Sequence, residues 1–191
     1  EHGLPACDAV VIQDYNKGLI REEIFDLVKF ARVPVVVDPN RYRTLRYRGT
    51  VATPNLEEAR ILSGAIFSSN TAYDHLAEIA RGFFERHDLE SLVITLGEKG
   101  IALCNKNGVV QECGPAKSHN VYDVSGAGDT VCAVLSAALA GGADLWTACR
   151  LANAAGGIVV GKMGTATTTR AEIQALCDEI GLDDKALRGA H

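Results

Sequence analysis

The chain has 191 residues, with 24 acidic against 19 basic side chains and a formal net charge of −5, a balance that argues against a general nucleic-acid binder. With 47% hydrophobic, 23% charged and 6% aromatic residues, the composition is that of an ordinary soluble globular protein and excludes a disordered or fibrous chain. The longest mainly apolar stretch, residues 130–140, is shorter than the roughly 20 residues that span a bilayer, and no basic-then-apolar leader opens the chain, so a cytoplasmic protein without a membrane partner is expected. Cys7, Cys104, Cys113, Cys132, Cys149 and Cys177 form no Cys-x-x-Cys and no cluster with histidine, which points to core packing and away from zinc or redox chemistry. Cys104 and Cys113 flank a hairpin turn and could approach one another, but a reducing cytoplasm would keep them as thiols.

Residues 9–14 form a short apolar run ending in an acid, and Ile20, Ile24, Leu27, Val28 and Ala31 then recur at helical spacing, so a strand leads into an amphipathic helix. Residues 34–38 are β-branched and stopped by Pro39, and residues 50–53 make another short strand closed by Pro54. Helical stretches follow at 56–62 and 73–86, and strand character returns at 91–96. Residues 100–105 and 109–113 flank Asn107-Gly108, a hairpin-turn pair, and predict antiparallel strands. Two long helices, 130–139 and 145–160, are rich in small residues and joined at Gly141-Gly142, which predicts tight packing. A last helix is expected over 171–180, and the polar tail 181–191 is expected to fray. Alternating helices and near-continuous apolar strands predict one α/β domain over residues 1–191, with a three-layer α/β/α arrangement around a mostly parallel sheet.

The segment that carries chemistry is residues 121–130, Val-Tyr-Asp-Val-Ser-Gly-Ala-Gly-Asp-Thr, where a small-residue turn runs straight into a helix. Gly126, Ala127 and Gly128 put no bulk between a phosphate and the unpaired N–H groups of the helix start, and the dipole favours negative charge there. Asp129 is then either a first-turn acid that answers the dipole or, beside a transferring phosphoryl group, the base that accepts the proton of an attacking hydroxyl. The third glycine of a dinucleotide fingerprint is missing and no Gly-Lys-Ser/Thr follows, so a Rossmann-type dehydrogenase and a P-loop are both poor matches.

Residues 123–129, Asp-Val-Ser-Gly-Ala-Gly-Asp, resemble the C-terminal signature of the ribokinase-like sugar kinases, the phosphofructokinase B family. Three more segments agree in order: residues 53–58 (Thr-Pro-Asn-Leu-Glu-Glu) resemble the family's Asn-x-x-Glu motif, 95–100 (Thr-Leu-Gly-Glu-Lys-Gly) its nucleotide-binding turn, and 151–155 (Leu-Ala-Asn-Ala-Ala) a downstream segment. Within the family, residues 13–18 (Gln-Asp-Tyr-Asn-Lys-Gly), 37–39 and 159–165 are most similar to the heptose-7-phosphate kinases of ADP-heptose synthesis, in which the kinase is often fused to a nucleotidyltransferase. The resemblance runs from residue 9 to 180 but covers only the C-terminal, nucleotide-binding part of the family's pattern. The N-terminal glycine motif and the lid strands, which supply much of the sugar site, have no counterpart in it.

The resemblance implies a ribokinase-like fold and a carbohydrate kinase that uses ATP and Mg²⁺, with D-glycero-D-manno-heptose 7-phosphate phosphorylated at its anomeric hydroxyl. Asp129 matches the family's catalytic base, and Gly126, Ala127 and Gly128 the turn that stabilises the phosphoryl charge. Asn55 and Glu58 match residues that organise Mg²⁺ and its waters, and their spacing of three places both on one helical face, although Asn55 after Pro54 also suits a plain N-cap. Thr95, Gly97 and Gly100 match the turn that borders the nucleotide or else form an ordinary strand-end turn, Lys99 either reaches a phosphate or is a solvated lysine, and Asn153 matches a position lining the adenine pocket or else lies on the polar face of its helix. Asp123 and Ser125, with oxygens near Val159, Lys162, Gly164 and Thr168, correspond to a monovalent-cation site of some members that K⁺ would fit. Asp14 and Lys17 follow the heptose-kinase pattern and are expected either to face the sugar phosphate or to lie on the surface. The same catalytic residues would serve a kinase of another sugar or of a nucleoside, and an ATP-binding fragment without turnover of its own is a third reading. Homo-oligomers form through the lid strands in the family, and this stretch leaves that state open.

Overall fold

The structure, a computed structural model, describes residues 6–66, 69–115, 126–164 and 166–179, without the side chains of 69–71 and 110. Among them, β1 (Val10–Gln13), α1 (Glu22–Val28), β2 (Val35–Asp38), β3 (Arg48–Ala52), α2 (Leu56–Leu62), α3 (Leu76–Arg86), β4 (Asp88–Thr95), β5 (Ile101–Asn105), β6 (Gly108–Cys113), α4 (Ala127–Ala140), α5 (Leu145–Val160) and α6 (Arg170–Glu179) follow one another along the chain. The six strands form one sheet in sequence order. β1 to β4 run parallel, and the β5–β6 hairpin closes the sheet antiparallel to β4.

Because side chains alternate across a strand, one apolar run can fill two cores. Val35, Val37, Leu92 and Ile94 face α1, α2 and α3 together with Phe25, Ile79 and Phe83. Val36, Val51 and Val93 face the other way, onto Cys132, Leu135, Ala148, Cys149 and Ala152 of α4 and α5. The result is the expected three-layer α/β/α arrangement. Cysteine burial in the second core pushes the Cys149 thiol up to about 12 and Cys132 up to about 11, which keeps both protonated.

Several boundaries differ from the sequence expectations for local reasons. α1 stops at Val28, short of Ala31, and Lys29 caps it onto the Phe25 carbonyl. Ser69–His75 is a 3-10 turn ahead of α3, because His75 gives that helix no side-chain cap and the α-helix starts only at Leu76. β4 begins at Asp88, three residues early, since polar Asp88 and Glu90 alternate with buried Leu89. Cys104 pairs across from Val109 and Cys113 across from Ile101, so the two cysteines do not face each other, and all six are free thiols.

β2 and β3 are parallel yet joined by residues 39–47 with no helix. Tyr47 holds that connection: its ring is fully buried, packed edge-on to Phe25 at 5.8 Å. Its hydroxyl accepts from the Asn40 N–H at 2.9 Å and donates to Asp14 Oδ2 at 3.0 Å. The tail beyond Glu179 and residues 116–125, which include Asp123 and Ser125, lie outside the described residues.

Candidate active site

Parallel strands of an open α/β sheet all end on one side, and ligands bind at that carboxyl edge. Here Gln13, Asp38, Thr53 and Thr95 end or directly follow β1, β2, β3 and β4. Gln13 and Asp38 are register partners, so the last residues of β1 and β2 stand side by side. The start of α4 lies over them. Gln13 Nε2 donates to Asp129 Oδ1 at 3.0 Å and the Tyr15 hydroxyl donates to the same oxygen at 2.7 Å, contacts that join residues 116 and 114 positions apart. Asp129 Oδ2 makes no hydrogen bond among the described residues.

Gly126 is the N-cap of α4 with φ +79°, a left-handed conformation that glycine adopts without a Cβ penalty. No side chain caps this helix, and the first intrahelical bond is from Thr130 N–H to the Gly126 carbonyl at 3.0 Å. The N–H groups of Ala127, Gly128 and Asp129 therefore have no partner among the described residues, and a Cβ at Gly128 would meet open space. An anion can reach them.

Three carboxylates converge here. Burial, then the charges of Glu58 and Asp129, push the Asp38 carboxyl up to about 7, while hydrogen bonds from Gln13 and Thr53 pull the other way. The bond to Asp129 and partial burial push Tyr15 up to about 12, so its hydroxyl stays a donor at neutral pH. Among the described residues no three His, Cys, Asp or Glu side chains close into a metal cage. Clustered carboxylate oxygens with uncompensated negative charge fit Mg²⁺ held through its waters, the usual mode of an ion that dehydrates reluctantly.

Asn55 and Glu58 form a reciprocal capping box: Asn55 Oδ1 accepts from Glu58 N–H at 2.9 Å and Glu58 Oε2 accepts from Asn55 N–H at 3.0 Å. One Glu58 oxygen remains for the site. Thr95 bridges to Asn55, and its N–H donates to the Pro54 carbonyl at 3.0 Å, so the start of α2 and the end of β4 are one unit. Gly97 and Lys99 lie in the turn that follows, with Lys99 Nζ 3.7 Å above the Tyr73 ring. Gly100 has φ +89°, and a Cβ there would run into the Cys113 and Gly114 carbonyls. Asn153 Nδ2 donates to that same Gly114 carbonyl at 2.8 Å, so Gly100, the end of β6 and α5 meet at one point.

The remaining expected residues are placed as follows. Asp14 is buried under Tyr47, accepts from the Asn16 N–H at 2.8 Å and lies 3.6 Å from Arg43 Nε, while Lys17 is exposed on the same loop. Lys162 Nζ donates to the Thr167 carbonyl at 2.8 Å and pairs with Glu172 at 2.6 Å, drawing the end of α5 and the approach to α6 together. Val159 is buried at the end of α5 and Gly164 is exposed beyond it. Thr168 Oγ1 is buried with no hydrogen-bond partner among the described residues, an orphaned oxygen of the kind a bound cation satisfies. Sequence reasoning named Asp14 and passed over Gln13, Tyr15 and Asp38. The available signal was a polar residue closing each of two apolar strands.

Residues 6–172 match the pfkB family of carbohydrate kinases. This chain belongs to that family. Curated relatives include the bifunctional protein HldE of Vibrio atlanticus (strain LGP32), 40% identical over 176 residues that span 91% of this chain and 36% of that protein. The bifunctional protein HldE of Edwardsiella ictaluri (strain 93-146) is 41% identical over 174 residues, 90% of this chain and 35% of that protein. The chain thus spans about a third of the length of these relatives. Ribokinase of Thermotoga maritima superposes with a TM-score of 0.68 at 25% identity, over 90% of this chain and 57% of that one. Phosphofructokinase-2 of Escherichia coli, solved in complex with potassium, shares the fold at a TM-score of 0.69 and 19% identity, over 91% and 57%. The pfkB assignment agrees with the ribokinase-like architecture described above, and no described helix is long and apolar enough to cross a membrane.

Proposed function

We propose that the chain is the nucleotide-binding part of an ATP-dependent kinase that phosphorylates the anomeric hydroxyl of a sugar phosphate, with D-glycero-D-manno-heptose 7-phosphate as the acceptor. The observation that carries this reading is Asp129: a carboxylate in the first turn of α4, held at Oδ1 by Gln13 and Tyr15, with Oδ2 and the neighbouring helix-start N–H groups unpartnered among the described residues. Asp129 Oδ2 takes the proton of the acceptor hydroxyl as the oxygen attacks. The N–H groups of Ala127, Gly128 and Asp129 stabilise the charge on the transferring phosphoryl group. Glu58 and Asp38 would hold Mg²⁺ through its waters, and that ion neutralises phosphate charge when bound.

Thr95, Gly97, Lys99 and Gly100 border the nucleotide in this reading, and Asn153 stands at the adenine side. Asp14 anchors the loop that presents Tyr15 and Lys17 toward the acceptor. The orphaned Thr168 oxygen supports a K⁺ site shared with Asp123, Ser125 and the carbonyls of Val159, Lys162 and Gly164. The likeness of residues 13–18 and 159–165 to heptose-7-phosphate kinases supports the acceptor, and the bifunctional relatives support a fused nucleotidyltransferase in the natural protein. Free thiols and phosphorylated substrates suit the cytoplasm.

The test is ADP release by the natural full-length protein with MgATP and a panel of heptose 7-phosphate, fructose 6-phosphate, ribose and adenosine. The expected result is turnover with the heptose phosphate at a kcat/KM at least about a hundredfold above the others. Preferred turnover of ribose or adenosine would overturn the acceptor and leave the kinase, and none with any of them would overturn both.

A further inference from the structure

Burial first, then the charges of Glu58 and Asp129, raise the Asp38 carboxyl, so these three acids feel one another across the carboxyl edge. Carboxylates at such range are a donor set that a divalent cation draws together. Among the described residues they nevertheless do not close into a metal cage. The distinction matters for Asp129, because a carboxylate drawn onto a cation loses the basicity that proton transfer needs.

What turns Asp129 aside is a pair of uncharged donors. Extended pairing runs one residue past β1, since the Asp14 N–H donates to the Asp38 carbonyl at 3.0 Å. Side chains alternate along such a stretch, so Gln13 and Tyr15 share one face and Asp14 takes the other. Asp14 is pinned there by the Tyr47 hydroxyl at 3.0 Å and by the Asn16 N–H at 2.8 Å. Its two neighbours are thereby aimed at Asp129, and both donate to Oδ1, Gln13 Nε2 at 3.0 Å and the Tyr15 hydroxyl at 2.7 Å. Tyr15 is 57% exposed, so core packing does not account for where its hydroxyl sits.

Gln13 also stands between the two sides of the site. It hydrogen-bonds Asp38, its register partner, as well as Asp129. Only the nitrogen of a glutamine amide donates, and its two hydrogens suffice for two carboxylates. A neutral donor there answers lone pairs that a cation would otherwise take, and adds no charge of its own.

We propose that Gln13 and Tyr15 are positioning residues that keep the base out of the metal's coordination: they occupy Asp129 Oδ1 and turn that carboxylate toward themselves, so that Asp38 and Glu58 are left to the Mg²⁺ and Asp129 Oδ2 to the acceptor proton. The proposal rests on the reading of Asp129 as the base and of Asp38 and Glu58 as the metal side.

The test is the binding of free Mn²⁺, without nucleotide, to the natural full-length protein by electron paramagnetic resonance, in wild type, Gln13→Met, Tyr15→Phe and the double variant. Methionine keeps the length of glutamine and phenylalanine the ring of tyrosine, and neither donates. Each single change is expected to tighten Mn²⁺ about threefold and the double about tenfold, while kcat falls. Asp129→Asn added to the double variant is expected to return Mn²⁺ affinity to about that of wild type. A merely structural role would not tighten a metal. Unchanged or weaker Mn²⁺ binding in the double variant, or tightening that survives Asp129→Asn, would overturn the proposal. Tyr15→Phe, at an exposed side chain, gives the same readout if the Gln13 variants fail to fold. Failure of the underlying reading shows separately, as full turnover by Asp129→Asn alone.

Discussion

Asp38→Asn is expected to make the protein more stable at neutral and alkaline pH while weakening its Mg²⁺-dependent nucleotide binding. Asp38 closes β2 among Glu58, Asp129 and apolar neighbours, and its carboxyl rises from 3.8 to about 7. The sign follows from proton counting: between those values the folded chain keeps a proton that the unfolded chain has already released, so stability falls as pH rises through that window. At about 1.4 kcal/mol per tenfold change in proton affinity, the full penalty above pH 7 is on the order of 4 kcal/mol. Asparagine keeps the shape and still accepts from Gln13 and Thr53, so the variant recovers about 2–4 kcal/mol at pH 8 and nearly nothing at pH 4. Urea denaturation at pH 4, 6 and 8, with and without Mg²⁺, measures this directly. Mg²⁺ should stabilise the wild type at pH 8 and leave the variant almost unchanged. Equal stability of the two proteins at pH 8, or a variant less stable there, would refute the reasoning that burial and like charges strain Asp38.

Tyr15→Phe removes the 2.7 Å hydrogen bond to Asp129 without changing the ring, so kcat should fall by about ten- to a hundredfold with KM for ATP nearly constant, as read by ADP release. Gly100→Ala places a Cβ against the Cys113 and Gly114 carbonyls at φ +89° and should cost about 2–4 kcal/mol in urea denaturation and weaken ATP binding alongside. Asn55→Ala breaks the capping box at the start of α2, and a loss of about 1–2 kcal/mol is expected, again by denaturation.

Elements whose ends carry a local chemical signal were legible in the sequence. α2 and α5 occupy the residues expected of them, since Asn55 and Asp144 each cap the helix that follows with a side-chain oxygen. Asn107-Gly108 placed the β5–β6 hairpin. Boundaries without such a signal shifted, as at polar Asp88 and uncapped His75. Asp129 and its glycine turn stood out because unhindered N–H groups beside an acid form a local pattern. The partners of Asp129 did not, since Gln13 and Tyr15 reach it only through the crossing of α4 over the ends of β1 and β2. Strand register brought Asp38 beside Gln13, and periodicity within one strand carries no information on its neighbour. Asp14, the acid visible at the end of the first apolar run, turns into the fold to meet Tyr47, while the tyrosine after it turns out to the site.

The decisive experiment is Asp129→Asn in the natural full-length protein, with ADP release measured on heptose 7-phosphate and MgATP affinity measured by calorimetry on the same samples. A base acting on the acceptor proton predicts turnover reduced by about 10²–10⁴ with the ATP Kd within about threefold of wild type. Turnover within about tenfold of wild type, or ATP affinity lost in parallel with it, would contradict the role given to Asp129.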